Sequence, residues 1–197
     1  MTIPRRKPPV TRHGQDGGWL DGKLPANVRL GADTVLRGDH LFHRFRSRLK
    51  PALIIGRHCT MDGVHFALGE KARVIIGDYC CFSNALLLCE QEIRIGSYVV
   101  IGWNATLADS DFHPVSPAQR IADAIACSPL GRGRARPSIA VKSVVIEDDV
   151  WIGPNATILK GVRVGAGSFI EPGALITRDV PPHSRVMGNP AQIIGTV

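Results

Sequence analysis

Aliphatic residues recur at every sixth position through the second half of the chain: Ile146, Ile152, Ile158, Val164, Ile170 and Ile176. Ile95, Ile101 and Leu107 keep the same step, as do Ile76, Phe82 and Leu88. Most are followed by a small or acidic residue, as in Ile95-Gly96, Ile101-Gly102, Ile152-Gly153 and Val164-Gly165. A small residue also tends to stand four places on (Ala105, Ala156, Ser168, Ala174). Two stretches nearly coincide, IGWNATL from Ile101 and IGPNATI from Ile152. A period of six fits neither an amphipathic helix nor one long alternating strand. It predicts short strands joined by tight turns, with one large aliphatic per strand pointing inward and small residues at the corners. A β-sandwich would space its turn signals about 8–12 residues apart and would not hold this phase. The pattern therefore predicts an all-β solenoid.

The departures from the period are as informative as the period. Residues 1–22 are basic, rich in Pro and Gly and without repeat, and predict a flexible arm ahead of a single domain over 23–197. From Leu24 to Leu68 the pattern is imperfect (Leu30, Leu36, then Ile55), as expected of a terminal coil. The interposed segment His40–Lys50 alternates Arg44, Arg46, Arg48 and Lys50 with Phe45, Ser47 and Leu49. The largest break, about 108–143, has no period at all. Loops of that length inside a compact domain are usually functional or disordered. Within it, 117–127 (PAQRIADAIAC) predicts a short helix with Ile121 and Ile125 on one face.

Composition narrows the class. Apolar residues make up 44% of 197 residues, enough for a buried core, and no apolar run approaches the length of a membrane span. The start, MTIPRRKPPV, has no apolar stretch behind its basic residues and reads as no export signal. Five cysteines, an odd number without a CxxC pair, predict reduced thiols in a cytoplasmic protein. The net charge of +7 fits either nucleic acid or a small polyanion such as a phosphorylated cofactor. Sparse aromatics among the basic residues argue against RNA. No Cys/His cluster has ligand spacing, so no metal is expected.

His113 is the first candidate for chemistry, because it stands where the repeat breaks off, in DSDFHP. A residue before proline is pushed out of the α region. Imidazole titrates near neutrality and can take a proton from a hydroxyl. Asp109 and Asp111 precede it, and either could orient the ring or simply cap a turn. The cluster Arg132, Arg134, Arg136 and Lys142 could bind phosphates or an anionic acceptor, or form a solvated loop.

The run from Val144 to Ile194, with its VWIGPNATILKGV core, resembles the hexapeptide-repeat acyltransferases, nearest the galactoside and maltose type of sugar O-acetyltransferase. That resemblance implies a left-handed parallel β-helix, a homotrimer with active sites between subunits, and acetyl-CoA as co-substrate. It also implies His113 as general base with Asp111 beside it, and Asn84 and Glu90 as acceptor-binding residues. Cofactor contacts would come from Trp151, Gly153, Pro154, Pro172, Gly173, Thr177 and Arg178, with Lys160 among the candidates for its phosphates. A backbone N–H near Gly153 would face the thioester. The implied activity is acetyl-CoA-dependent O-acetylation of a sugar hydroxyl by direct transfer in a ternary complex. N-acetylation of an amino sugar and a non-catalytic scaffold are the alternatives.

Overall fold

The computed structural model describes residues 24–197, so the arm predicted over 1–22 lies outside the described residues. Among the described residues the strands form three sheets, of six, eight and five strands. Consecutive strands pass from one sheet to the next. One coil, for example, runs Arg163–Val164 on the first face, Phe169–Ile170 on the second and Leu175–Ile176 on the third. Coils pair in parallel with their neighbours, giving a three-sided β-helix. The antiparallel hairpin Ser184–Gly188 with Ala191–Thr196 ends it. No helix among the described residues is long and apolar enough to cross a membrane.

The sixfold period follows from this geometry. In a two-residue strand one side chain points out and the other in, and Val164, Ile170 and Ile176 are the buried members. Stacked coils line these up: Leu36, Met61, Phe82, Ile101, Ile152 and Ile170 form a buried column behind the second face. Each such side chain contributes about 1.5–3 kcal/mol by leaving water. The corner between the second and third faces is held in the left-handed region at Gly63, Asn84, Asn104, Asn155 and Gly173, with φ between 51° and 72°. Only Gly and, less readily, Asn take that conformation without serious cost.

One position of the expected repeat is displaced. Leu87, not Leu88, points inward, since Leu87 pairs with Leu107 and is fully buried. The corner Ser83-Asn84-Ala85 is one residue shorter than Gly102-Trp103-Asn104-Ala105, so the next strand starts a residue early. The segment at 40–50 takes the place of a third-face strand in the first coil. Arg46 N–H donates to Leu68 O (2.8 Å), Arg48 N–H to Glu70 O (2.9 Å), and Leu68 N–H to Arg44 O (3.2 Å). Its alternation persists, with Ser47 buried and its hydroxyl donating to Ala72 O at 2.7 Å, while the arginines face out.

The long break is an extrusion at the corner between the third and first faces. Partners on the first face are 18 residues apart at Val145 and Arg163, but 51 apart at Ile93 and Val144. The surplus of 33 residues leaves after Thr106–Ala108 and returns at Val144–Ile146. The coils above and below remain in register across it, so the loop is carried by a rigid base.

Candidate active site

The extruded loop carries an α-helix, α1 (Pro117–Cys127), followed by a short 3-10 turn at Pro129–Gly131; Pro117 lies in the first turn of α1, where the missing N–H costs nothing. The helix stands where the sequence predicts it, and its Ile121/Ile125 face is turned outward. Ile121 and Ile125 are 65% and 44% exposed, and the buried residue is Asp123, on the opposite side of the helix. The reason is electrostatic. Asp123 Oδ2 accepts a 2.5 Å hydrogen bond from His113 Nδ1, and Arg136 grips the same carboxylate with Nε at 2.6 Å and Nη2 at 3.0 Å. These bonds satisfy a carboxylate with no solvent exposure of its own. Arg136 first, then His113, holds the Asp123 carboxyl down at about 2, so it is an ionised acceptor throughout the neutral range.

Arg136 also donates to Phe112 O at 2.9 Å. Phe112 lies in the left-handed region with φ of 61°, an uncommon state for an aromatic residue. The guanidinium thus fixes both the backbone that aims His113 and the carboxylate that orients its ring. With Nδ1–H donated to Asp123, Nε2 is the nitrogen left with a lone pair. His113 lines a cavity of about 250 Å³ together with Arg44, Arg46, Glu90, Phe112 and Arg136.

Asp111 meets His113 through its backbone, Asp111 O accepting the His113 N–H at 2.6 Å, and not through its carboxylate. Its carboxylate pairs with Lys160 Nζ at 2.8 Å, tying the mouth of the loop to the following coil. Lys160, a candidate phosphate contact, is neutralised by that pair. Asp109 is fully buried and takes backbone N–H bonds from Glu90, Gln91 and Glu92 at 2.7–2.8 Å, which makes it the organiser of the corner that carries Glu90. Glu90 does reach the His113 cavity. Its carboxyl lies over Gly69, where any Cβ would collide with it. Asn84 is part of the left-handed corner between the second and third faces, packed on Gly63, and does not line this cavity.

The expected cofactor residues divide between two edges. Gly153, Pro154, Pro172 and Gly173 stack at the corner between the second and third faces, and Trp151 stacks on Phe169 (centroids 4.3 Å apart) beside them. Lys160, Thr177 and Arg178 follow third-face strands, at the corner from which the His113 loop emerges. The Gly153 N–H donates to Ile170 O at 2.8 Å, and Pro154 has none. The turn therefore offers no free N–H for an oxyanion at either residue, against expectation, because the ladder between coils consumes it. Cys89 also borders the cavity, but burial, with Asp109 beside it, pushes its thiol well above the ordinary range.

Burial raises the Glu90 carboxyl, with Arg46 partly opposing the shift. A raised carboxyl means the ionised form is disfavoured by folding, so its stability contribution is negative above that raised value. Glu90→Gln is accordingly expected to leave the melting temperature unchanged or higher, while raising the acceptor KM. Calorimetry and initial rates on the one variant check both halves, and a clear loss of melting temperature would contradict the assignment.

Residues 143–178 match the family model described as bacterial transferase hexapeptide (six repeats). A galactoside O-acetyltransferase of Lactococcus lactis subsp. lactis is 32% identical over 141 residues, 71% of this chain and 60% of that enzyme. A hexapeptide-repeat-containing acetyltransferase of Vibrio cholerae is 30% identical over 70% of this chain and 69% of its own, with a TM-score of 0.54. The chain belongs to the hexapeptide-repeat acyltransferase family. A second structure of the Vibrio cholerae acetyltransferase is a complex with acetyl coenzyme A (32% identity, TM-score 0.51, 62% of this chain and 60% of that one). A tetrahydropyridine dicarboxylate N-acetyltransferase of Staphylococcus aureus is 57% identical over 51 residues, 26% of this chain and 21% of that enzyme. The chain thus spans about 60% of the length of the Lactococcus relative, and this acyltransferase family includes both O- and N-acetylating members.

Proposed function

We propose that this hexapeptide-repeat protein is an acetyl-CoA-dependent O-acetyltransferase acting on a sugar hydroxyl. The observation that carries the reading is the His113–Asp123–Arg136 chain at the rim of a cavity that also presents Glu90. In this mechanism Glu90 holds a neighbouring hydroxyl, and Nε2 of His113 takes the proton of the reacting one as its oxygen adds to the thioester carbonyl carbon. Asp123 stabilises the imidazolium without taking its proton. When the C–S bond breaks, His113 returns the proton to the leaving sulfur, giving the acetyl ester and the free thiol of CoA.

The corner that bears the His113 loop continues past Lys160 to Thr177 and Arg178, and we assign the cofactor to this edge. Arg178 is exposed, with no ion-pair partner among the described residues, and suits a phosphate. Trp151, Gly153, Pro154, Pro172 and Gly173 would serve the cofactor of an adjacent copy in a homotrimer. The exposed Val115, Ile121, Ile125 and Leu130 of the loop favour such a subunit contact. N-acetylation of an amino sugar is the second reading; the Staphylococcus aureus relative supports transfer to nitrogen, though its own acceptor is a dicarboxylate and not a sugar.

Release of CoA thiol from acetyl-CoA, measured against a panel of sugars and amino sugars, tests the proposal. Acceptor-dependent release with an alkali-labile product supports O-acetylation, and an alkali-stable product transfers the assignment to nitrogen. Absence of acetyl-CoA binding by calorimetry would overturn both.

A further inference from the structure

The cavity beside His113 is more cationic than a neutral sugar requires. Three arginines line it, Arg44, Arg46 and Arg136, against the single carboxylate Glu90. Arg136 is neutralised by Asp123. Arg44 and Arg46 have no ion-pair partner among the described residues, whereas Arg48, next in the same alternation, pairs with Glu70 at 3.5 Å. Neither the Arg44 nor the Arg46 guanidinium lies within ion-pair distance of a carboxylate among the described residues, although the Arg46 charge bears on Glu90, and both border the cavity.

Their position is built into the fold. Arg44 O and Arg46 N–H are both hydrogen-bonded to Leu68 on the edge of the third face, so the two backbones are fixed and the alternation turns both side chains outward. A second cavity, of about 290 Å³, shares Arg44, Ala67 and Leu88 with the first and adds His40, His43 and His65. The imidazoles are close neighbours, with centroids of His40 lying 6.1 Å from His43 and 6.4 Å from His65. The two cavities adjoin at Arg44, so a groove from His113 past Arg46 and Arg44 meets a cluster of imidazole rings. Glu90, at the His113 end, is its one acidic residue. The guanidinium fork matches a carboxylate or a phosphate with two parallel hydrogen bonds, which no neutral hydroxyl can reproduce.

We propose that the acceptor is an anionic sugar, whose carboxylate or phosphate is held by Arg44 and Arg46 while its hydroxyl meets Nε2 of His113. This rests on the acetyltransferase reading for the reacting hydroxyl, whereas the anion subsite stands on the groove alone. The probes are methyl galacturonide and galactose 1-phosphate, each compared with methyl galactoside, on the full chain by calorimetry and by thiol release. At low salt at least one charged probe is expected to bind about tenfold more tightly than the neutral one, with the advantage shrinking as salt rises. Which charged probe gains identifies the carboxylate or phosphate source. Arg44→Gln and Arg46→Gln should each remove a large part of that roughly tenfold preference, and Arg46→Lys should keep part of it. Both arginines are exposed, so melting curves should stay unchanged. Equal binding of neutral and charged probes overturns the proposal, as does a preference that survives both substitutions. Tight binding of a charged probe, with acetyl-CoA itself failing to bind, upholds the subsite and overturns the enzyme reading. Acetyl transfer equally fast to neutral and charged sugars does the reverse.

Discussion

Replacing His113 with alanine is expected to lower acetyl transfer by about 10²–10⁴-fold while leaving acetyl-CoA binding in place. In the proposed mechanism the imidazole removes a proton in the transition state and is assigned no contact with the cofactor. Thiol release should collapse in the variant, and calorimetric binding of acetyl-CoA should not. Asp123→Asn is expected to cost about as much, because an amide accepts no stronger bond from Nδ1–H than a solvent water and cannot stabilise the imidazolium. It also leaves Arg136 without its bidentate partner, so the Phe112 backbone and the ring beside it lose their common anchor. The double variant should be little worse than either single one, since the two residues act as a unit. Full activity in Asp123→Asn would sink the assignment of the dyad.

The same pair predicts an acid limit to loop order. The Asp123 carboxyl is depressed, so its contribution to holding α1 is present above the ordinary carboxylate range and disappears as pH falls toward about 2. Hydrogen exchange of residues 112–127 followed from neutral to acid pH should rise in that window, before the coils themselves open. Arg136→Lys should bring the opening to higher pH, since a point charge does not replace the two-pronged contact. Exchange that rises only with global unfolding would contradict a local role for the pair.

The solenoid was legible because a β-helix writes its geometry directly into the sequence. One inward residue per short strand gives a period that Ile146 to Ile176 keep without fault, and the loop announces itself where that period stops. His113 could be singled out for the same reason, standing at the break. Asp123 could not. Its neighbours Ile121 and Ile125 suggest the buried face of an ordinary amphipathic helix, and only the facing His113 and Arg136, distant in sequence by 10 and 13 residues, reverse it. Asp111 drew attention by adjacency, but the left-handed Phe112 turns the chain between it and His113, and Lys160 of the next coil captures its carboxylate. The register slip at Leu87 has a similar origin, since a leucine run offers no polar residue to mark which side chain turns inward. Arg44 and Arg46 were visible as an alternation, yet nothing in the sequence told which corner of the solenoid they would meet.

Asp109→Ala is expected to be the most destabilising single change in the loop region. The side chain is fully buried and its two oxygens take the N–H groups of Glu90, Gln91 and Glu92, with the Cys89 thiol donating to Oδ2 at 3.3 Å. Its removal strands three backbone donors at a half-buried corner. At about 1–3 kcal/mol for each stranded group, with some relaxation, the loss should be about 3–5 kcal/mol. For a domain of this size that corresponds to a melting temperature lower by roughly 10 °C, read by calorimetry. Asp109→Asn is the informative companion, because it preserves volume and one acceptor oxygen but turns an amide N–H₂ toward backbone donors. It should lie between the wild type and alanine in stability. Both variants should also lose acceptor affinity, because the corner that Asp109 holds is the one that carries Glu90 into the cavity. A variant with wild-type melting would mean that the three N–H groups find other acceptors, and that Glu90 is positioned by Gly69 alone.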